Sequence, residues 1–192
     1  MRHSSPTAVI VFAILTAGCD GERPDPTGTS AFSHAPGLGT PPAARNFVAP
    51  LDPRQEVPTP TLTETKNPTG NAVLRLAGDG TELDYRLIAA NIENVTQAHI
   101  HCGQRGIAGP IVAFLFGFVA EGVSPNGILA EGTVSAGDVM PVADSGACPG
   151  GVADFAGLVS QMRAGNTYVN VHTIQNAPGE IRGQIRSAGP GH

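Results

Sequence analysis

Near the middle of the chain the sequence reads Gln97-Ala98-His99-Ile100-His101-Cys102-Gly103. Successive side chains of an extended strand point to opposite faces, so in a strand His99 and His101 share one face while Ile100 takes the other. A second stretch has the same form, with valines on one face and a histidine on the other: Tyr168-Val169-Asn170-Val171-His172-Thr173. The two stretches predict two strands, each with a buried apolar face and a polar face that carries histidine.

Three of the six histidines, His99, His101 and His172, therefore stand opposite the apolar side of a predicted strand. A His-x-His pair with a distant third histidine is a recurrent way to hold copper or zinc through neutral imidazole nitrogens. The alternative is three polar residues on a solvated sheet face. Residue types and spacing leave both interpretations open.

Composition favours a mainly β protein. The 192 residues leave room for one domain of ordinary size, and with 25 glycines, 17 prolines and no tryptophan they suit many short strands joined by turns. The net charge of −5, without a basic cluster, argues against nucleic acid as a partner. We find no Gly-x-Ser-x-Gly, no phosphate loop with lysine and no carboxylate pair, so the sequence names no catalytic residue.

The amino terminus predicts export. Residues 1–18 combine an early arginine with an apolar run too short to span a bilayer, as in a secretory signal peptide. The run ends in Leu15-Thr16-Ala17-Gly18-Cys19, which resembles a bacterial lipobox and makes Cys19 the predicted lipidation site. The alternative is an ordinary cleavage site with an incidental cysteine. We expect residues 19–45, rich in Gly, Pro, Ser and Thr, to be a disordered tether between a membrane of the cell envelope and the domain.

The predicted domain spans residues 46–187 and is followed by a tail, 188–192. Apolar alternation and turn signals predict strands at 46–51, 71–76, 82–88, 95–101, 111–116, 127–134, 167–173 and 180–186. The apolar run 111–116 reads as a central strand. One short helix is expected at Asp154–Ala164, with Asp154 as its cap and Gly165 as its stop.

The register of the last predicted hairpin follows from keeping its apolar residues on one face, because a slip of one residue would expose all of them. It pairs Val171 with Ile181 and Val169 with Gly183.

The polar residues of that hairpin are then neighbours too. Asn170 lies beside Arg182, and His172 lies beside Glu180, which becomes a candidate acceptor for the second N–H of a metal-bound imidazole. A merely structural cross-strand pair is the alternative.

Two cysteines remain besides Cys19. In an oxidising envelope Cys102 and Cys148 are expected to pair, closing a loop for which the chain-entropy model gives about 4 kcal/mol of stabilisation. The alternative, Cys102 as a metal ligand beside His101, suffers because alternation points Cys102 to the opposite face.

Several motifs, in this order, resemble the CHRD domain, a module named after chordin and common in bacterial secreted proteins. The resemblance covers roughly residues 46–186 and implies a fold and a location more than an activity. The motifs are Glu56-Val57-Pro58, Ala98-His99-Ile100-His101, Gly109-Pro110-Ile111-Val112, Tyr168-Val169-Asn170-Val171-His172-Thr173 and Gly179-Glu180-Ile181-Arg182-Gly183-Gln184-Ile185.

A looser resemblance is to copper-zinc superoxide dismutase, a Greek-key β-sandwich with a His-x-His strand, a distant third histidine and a disulfide that fastens a long loop. It implies an antiparallel Greek-key sandwich with His99, His101 and His172 as copper ligands. No histidine lies between Gly103 and Asn170, so the bridging and zinc ligands of that family have no counterpart. Arg182 resembles its substrate-guiding arginine without a motif that aligns the two.

Three hypotheses follow. The first is a lipid-anchored, non-enzymatic binding module of the cell envelope whose histidines take copper, with zinc as the lesser choice. The second is a copper-dependent enzyme of the superoxide dismutase type. The third is a structural or interaction domain without metal.

Overall fold

The computed structural model describes residues 43–62 and 67–189. Cys19, the predicted signal peptide and the predicted tether as far as residue 42 lie outside the described residues. The described part forms nine strands and one α-helix: β1 (Asn46–Leu51), β2 (Thr69–Leu76), β3 (Leu83–Ala90), β4 (Val95–Cys102), β5 (Ile111–Phe116), β6 (Gly127–Val134), α1 (Phe155–Arg163), β7 (Thr167–Thr173), β8 (Ile181–Gln184) and β9 (Arg186–Ser187).

The strands form two antiparallel sheets. One has the order β6-β3-β2-β1-β9 and the other the order β5-β4-β7-β8. The chain changes sheet between β3 and β4, between β5 and β6, between β6 and β7, and between β8 and β9. The predicted mainly β, antiparallel sandwich with one short helix is confirmed.

Alternating side chains build the shared core. In the β2–β3 hairpin Leu74 and Leu87 are fully buried while Arg86 between the inward positions is exposed. Ile100 of β4 and Val171 of β7 join them from the second sheet. Burial of such side chains contributes about 1.5–3 kcal/mol each for leucine, isoleucine or valine, which makes this core the main source of stability.

The predicted register of the last hairpin is confirmed, since Val171 pairs with Ile181 and Val169 with Gly183. The predicted strand 180–186, however, is wrong in its extent. It divides into β8, which pairs with β7, and β9, which pairs with β1 of the other sheet. Ile185 lies fully buried at the crossing and its amide donates to the Thr167 carbonyl at 2.9 Å.

The strand β5 is an edge strand, not the central strand that its apolar run predicted. Val112 and Leu115 are buried in the core, while Phe114 points to the other face with 45% of its surface exposed. Phe114 packs edge-on against His99, with ring centroids 4.4 Å apart at 87°, so this edge strand carries apolar side chains on both faces.

The helix and the disulfide follow the predictions. The Asp154 carboxylate accepts from the Gly157 amide at 2.8 Å at the start of α1, and Gly165 takes a left-handed φ of 73° after its end. Cys102 and Cys148 are joined in a disulfide. Among the described residues no helix is both long and apolar enough to cross a membrane.

Candidate metal centre

The outer face of the second sheet carries the three histidines. His99 and His101 come from β4 and His172 from β7, the neighbouring strand. They are 0%, 7% and 6% exposed. The loops that contain Gly109 and Ala177 lie against His101 and His172 and contribute to this burial. The alternative of a solvated sheet face is therefore wrong: the face is polar but buried.

The three imidazoles converge. One ligand atom from each lies within 4.8 Å of the others, and Nδ1 of His99 is 3.0 Å from Nε2 of His172. Nitrogens bound to one ion at about 2.0–2.1 Å in a tetrahedral arrangement lie about 3.3 Å apart. The side chains are thus placed where a single ion could reach all three.

Backbone carbonyls select the tautomers. Nδ1 of His101 lies 2.8 Å from the Gly109 carbonyl, and Nδ1 of His172 lies 2.8 Å from the Ala177 carbonyl. A carbonyl can only accept, so both rings carry their proton on Nδ1 and present a lone pair on Nε2. His99 must then donate from Nδ1 to Nε2 of His172.

Two ring nitrogens lack a hydrogen-bond partner. Nε2 of His99 and Nε2 of His101 are buried and unpaired among the described residues. Buried polar atoms rarely lack a hydrogen-bond partner, so an unpaired one indicates a bound group or a functional role. A bound ion would satisfy the lone pair of His101.

All three rings are held neutral. Burial lowers the pKa of His99 to about 3, with further lowering from the neighbouring rings of His172 and His101. Burial lowers the pKa of His101 to about 4, against the opposing effect of its bond to Gly109. Burial also lowers the pKa of His172, opposed by Ala177. Neutral imidazole is the form that binds metal, so near neutral pH no proton has to be displaced from a charged ring.

The prediction that Glu180 accepts the hydrogen bond from the second N–H of His172 is wrong. The acceptor for Nδ1 of His172 is the Ala177 carbonyl. Oε2 of Glu180 instead accepts from the side chains of Thr173, Gln175 and Asn176. The carboxylate points into the loop between β7 and β8 because these three donors lie there.

Asn170 and Arg182 pair across the strands as predicted. The Arg182 guanidinium lies 3.4 Å from the ring centroid of Tyr168 and donates to the Gln104 carbonyl at 2.9 Å. The ring of His101 stacks on the same tyrosine at 4.8 Å and 9°. Arg182 and His101 therefore both stack on the ring of Tyr168, and the guanidinium makes a cation–π contact with this ring.

Sequence reasoning missed several residues around the cluster. Tyr168 and Phe114 contact histidine rings, and Glu56 is buried beside Asn170. Burial raises the pKa of Glu56, against lowering by the Val57 amide, Arg182 and Asn170. Strand alternation would have placed Tyr168 on the histidine face, but nothing local indicates that Glu56 folds over it.

The cluster contains three imidazoles and, among the described residues, no carboxylate or thiolate within the same group. Cys102 lies in the disulfide, as its position opposite to His101 predicted. The site offers an ion three nitrogen donors in a buried surround of aromatic rings and polar side chains.

The fold is a β-sandwich of two antiparallel sheets, and three buried imidazoles on its second sheet could hold a metal ion. The family model described as the CHRD domain matches residues 47–185, and the chain belongs to the CHRD domain family. The resemblance seen in the sequence is confirmed, while the likeness to superoxide dismutase stays a prediction. No curated protein and no solved structure matches the chain.

Proposed function

We propose that this chain is a non-enzymatic metal-binding module of the cell envelope, with an ion held by Nδ1 of His99 and Nε2 of His101 and His172. In the metal-free chain Nδ1 of His99 carries the proton that it donates to Nε2 of His172, so this proton moves to the unpaired Nε2 of His99 when the ion binds. The observation that carries the proposal is the 3.0 Å approach of Nδ1 of His99 to Nε2 of His172 within a buried group of three neutral rings. The fixed Nδ1–H tautomers of His101 and His172 direct both Nε2 lone pairs into the cluster, where that of His172 accepts from His99 until an ion replaces the proton.

Copper is the ion that this donor set favours. Three imidazole nitrogens suit copper and zinc, and at a nitrogen site copper binds more tightly than zinc in the general order of divalent metals. The cluster has no carboxylate oxygen among the described residues, which disfavours magnesium and calcium. Zinc is the second choice.

Burial supports binding rather than turnover. His99 is fully buried, Tyr168 stacks on His101, and Phe114 packs on His99. A substrate would need a route to the ion past these side chains. If copper-loaded protein dismutated superoxide faster than the same amount of copper added to the triple variant described below, the non-enzymatic role would be wrong.

Titration of the full chain with Cu(I), Cu(II) and Zn(II) tests the metal site. We expect one ion per chain, and no comparable site in the triple variant His99→Ala, His101→Ala, His172→Ala. His101→Asn is the milder variant, because Nδ2 of asparagine takes the place of Nδ1 of histidine and can still donate to the Gly109 carbonyl, and it should weaken binding at least about tenfold. His34→Ala, which removes a histidine outside the domain, is the matched control. Equal binding by wild type and triple variant would contradict the site.

The cell-envelope location is a separate part of the proposal and rests on the signal-like residues 1–18 and on Cys19. Several acyl chains on one cysteine would anchor the chain stably, whereas one chain alone is marginal. Metabolic labelling with a fatty-acid probe should label wild type but not Cys19→Ser. Persistent label in Cys19→Ser would contradict the anchor and leave the metal site untouched.

A further inference from the structure

The loop between β7 and β8 is folded around the carboxylate of Glu180. Its Oε2 accepts from Oγ1 of Thr173 at 2.7 Å, from Nε2 of Gln175 at 2.9 Å and from Nδ2 of Asn176 at 2.9 Å. Glu180 is 3% exposed, so these donors replace most of its water. Hydrogen bonds to a charged group are the strong ones, and three of them on one oxygen fix the loop.

Asn176 ties the same loop to a distant part of the chain. Its Nδ2 donates to the Thr61 carbonyl at 3.1 Å, and its Oδ1 accepts from the Thr61 amide at 3.0 Å. Its own carbonyl accepts from the Gly179 amide at 3.0 Å. The peptide that lies between Asn176 and Gly179 is therefore held at both ends.

That peptide contains Ala177, whose carbonyl accepts from Nδ1 of His172. The position of the carbonyl depends on the loop alone, since the alanine side chain has nothing to anchor it. If the carbonyl moved away, the proton of His172 would be free to occupy Nε2. An Nε2–H ring can neither accept from His99 nor bind an ion at that nitrogen.

We infer that Glu180 is a positioning residue for the metal centre: it holds the Ala177 carbonyl where it fixes His172 as the Nδ1–H tautomer. The inference rests on the proposed function for its purpose, although the tautomer itself can be measured without metal. Glu180 acts on His172 indirectly, through its bonds to Thr173 and Asn176 and then through the loop backbone. Among the described residues its carboxylate makes no hydrogen bond to an imidazole.

Nitrogen-15 NMR of the metal-free full chain reports the tautomer of each histidine ring. In wild type we expect Nδ1–H at both His172 and His101. In Glu180→Ala we expect a measurable Nε2–H population at His172 and no change at His101, whose carbonyl belongs to Gly109 in another loop. An unchanged His172, or an equal change at both rings, would overturn the positioning role.

Metal binding supplies the second readout. Competition with a Cu(I) chelator should show the Kd of Glu180→Ala raised about 10- to 100-fold, as for other residues that orient metal-bound histidines. Gln161→Ala is the matched control, since it removes a buried side chain that donates to the carbonyls of Pro149 and Gly151 away from the cluster. It should lower stability while leaving the tautomers and the Kd near wild type.

Glu180→Gln keeps an acceptor oxygen but loses the charge, so its Kd should lie between those of wild type and Glu180→Ala. Should Glu180→Ala not fold, Glu180→Gln decides alone: partial Nε2–H at His172 with His101 unchanged supports the role, and a wild-type tautomer overturns it. If wild type binds no ion but the tautomer still responds to Glu180, the proposed function fails and the positioning of His172 stands.

Discussion

Burial keeps each histidine of the cluster neutral in the folded chain, and this makes the stability of the fold depend on pH. Because the pKa of a buried ring is lower in the folded chain than in the unfolded one, the unfolded state binds more protons at mildly acid pH. The contribution of these rings to the free energy of unfolding should therefore be fully present above about pH 6.5 and lost as the pH falls towards the folded pKa.

For His101 the window runs from the ordinary value of 6.5 down to about 4. Within it the ring contributes at most about 1.4 kcal/mol per pH unit. Urea unfolding of the metal-free chain from pH 4 to 7 should show that the free energy of unfolding rises less steeply with pH in His101→Asn than in wild type. Glu56, whose pKa is raised by burial, gives a slope of the opposite sign in both proteins and cancels in the comparison. Identical slopes would show that His101 titrates as if exposed.

How far the site was predictable differs from residue to residue. His99 and His101 follow from alternation, because neighbours two apart share a face in any strand. The convergence of His172 with them was one of two interpretations that the spacing left open, and the structure decides it through the pairing of β4 with β7. The Ala177 and Gly109 carbonyls were not predictable, since a backbone acceptor has no residue type to signal it.

At the scale of elements, the register of the last hairpin was predictable and the covering of the histidine face was not. Alternation of Val169 and Val171 left one register that keeps both valines inside. The covering depends on bonds between residues far apart, such as Thr61 with Asn176, which no local pattern records. The same limit explains why the strand after Glu180 was expected to stay in one sheet: its alternation continues unbroken through Ile185.

The segment between β4 and β5 returns tightly on β4, and Gly109 is the residue at which it does so. A Cβ added there would lie 1.8 Å from the Cys102 carbonyl oxygen. The Gly109 amide also donates to the Tyr168 hydroxyl at 3.0 Å. The close approach is what brings the Gly109 carbonyl to His101.

Gly109→Ala should therefore displace this carbonyl and release the Nδ1 proton of His101. We expect a loss of a few kcal/mol in the free energy of unfolding, in the range of substitutions that create a clash in a packed segment. The Kd for Cu(I) should rise as well. Gly117→Ala, at a position with open space around the added Cβ, is the control and should change neither quantity. A Gly109→Ala protein with wild-type stability and Kd would contradict this account of the loop.

At the scale of the whole molecule, the three histidines come together only when the two sheets have folded. Its donors come from two strands separated by 73 residues between His99 and His172, and the core beneath them holds the strands in register. The unfolded chain keeps only the His-x-His pair close together. An ion should therefore prefer the folded state, and its binding should add to the stability of the entire domain.

The melting temperature of the full chain measures that preference. At a free ion concentration of 100 times Kd the stabilisation should be about 2.7 kcal/mol. For a domain of this size that corresponds to a rise of roughly 10 °C in Tm, and tenfold less ion should give about half the effect. Scans with Zn(II), which undergoes no redox reaction, should show the rise in wild type and in His34→Ala. The triple variant His99→Ala, His101→Ala, His172→Ala should melt at one temperature with or without the ion, because its strands bring no donors together. An equal rise in the triple variant would mean that the ion acts elsewhere on the chain.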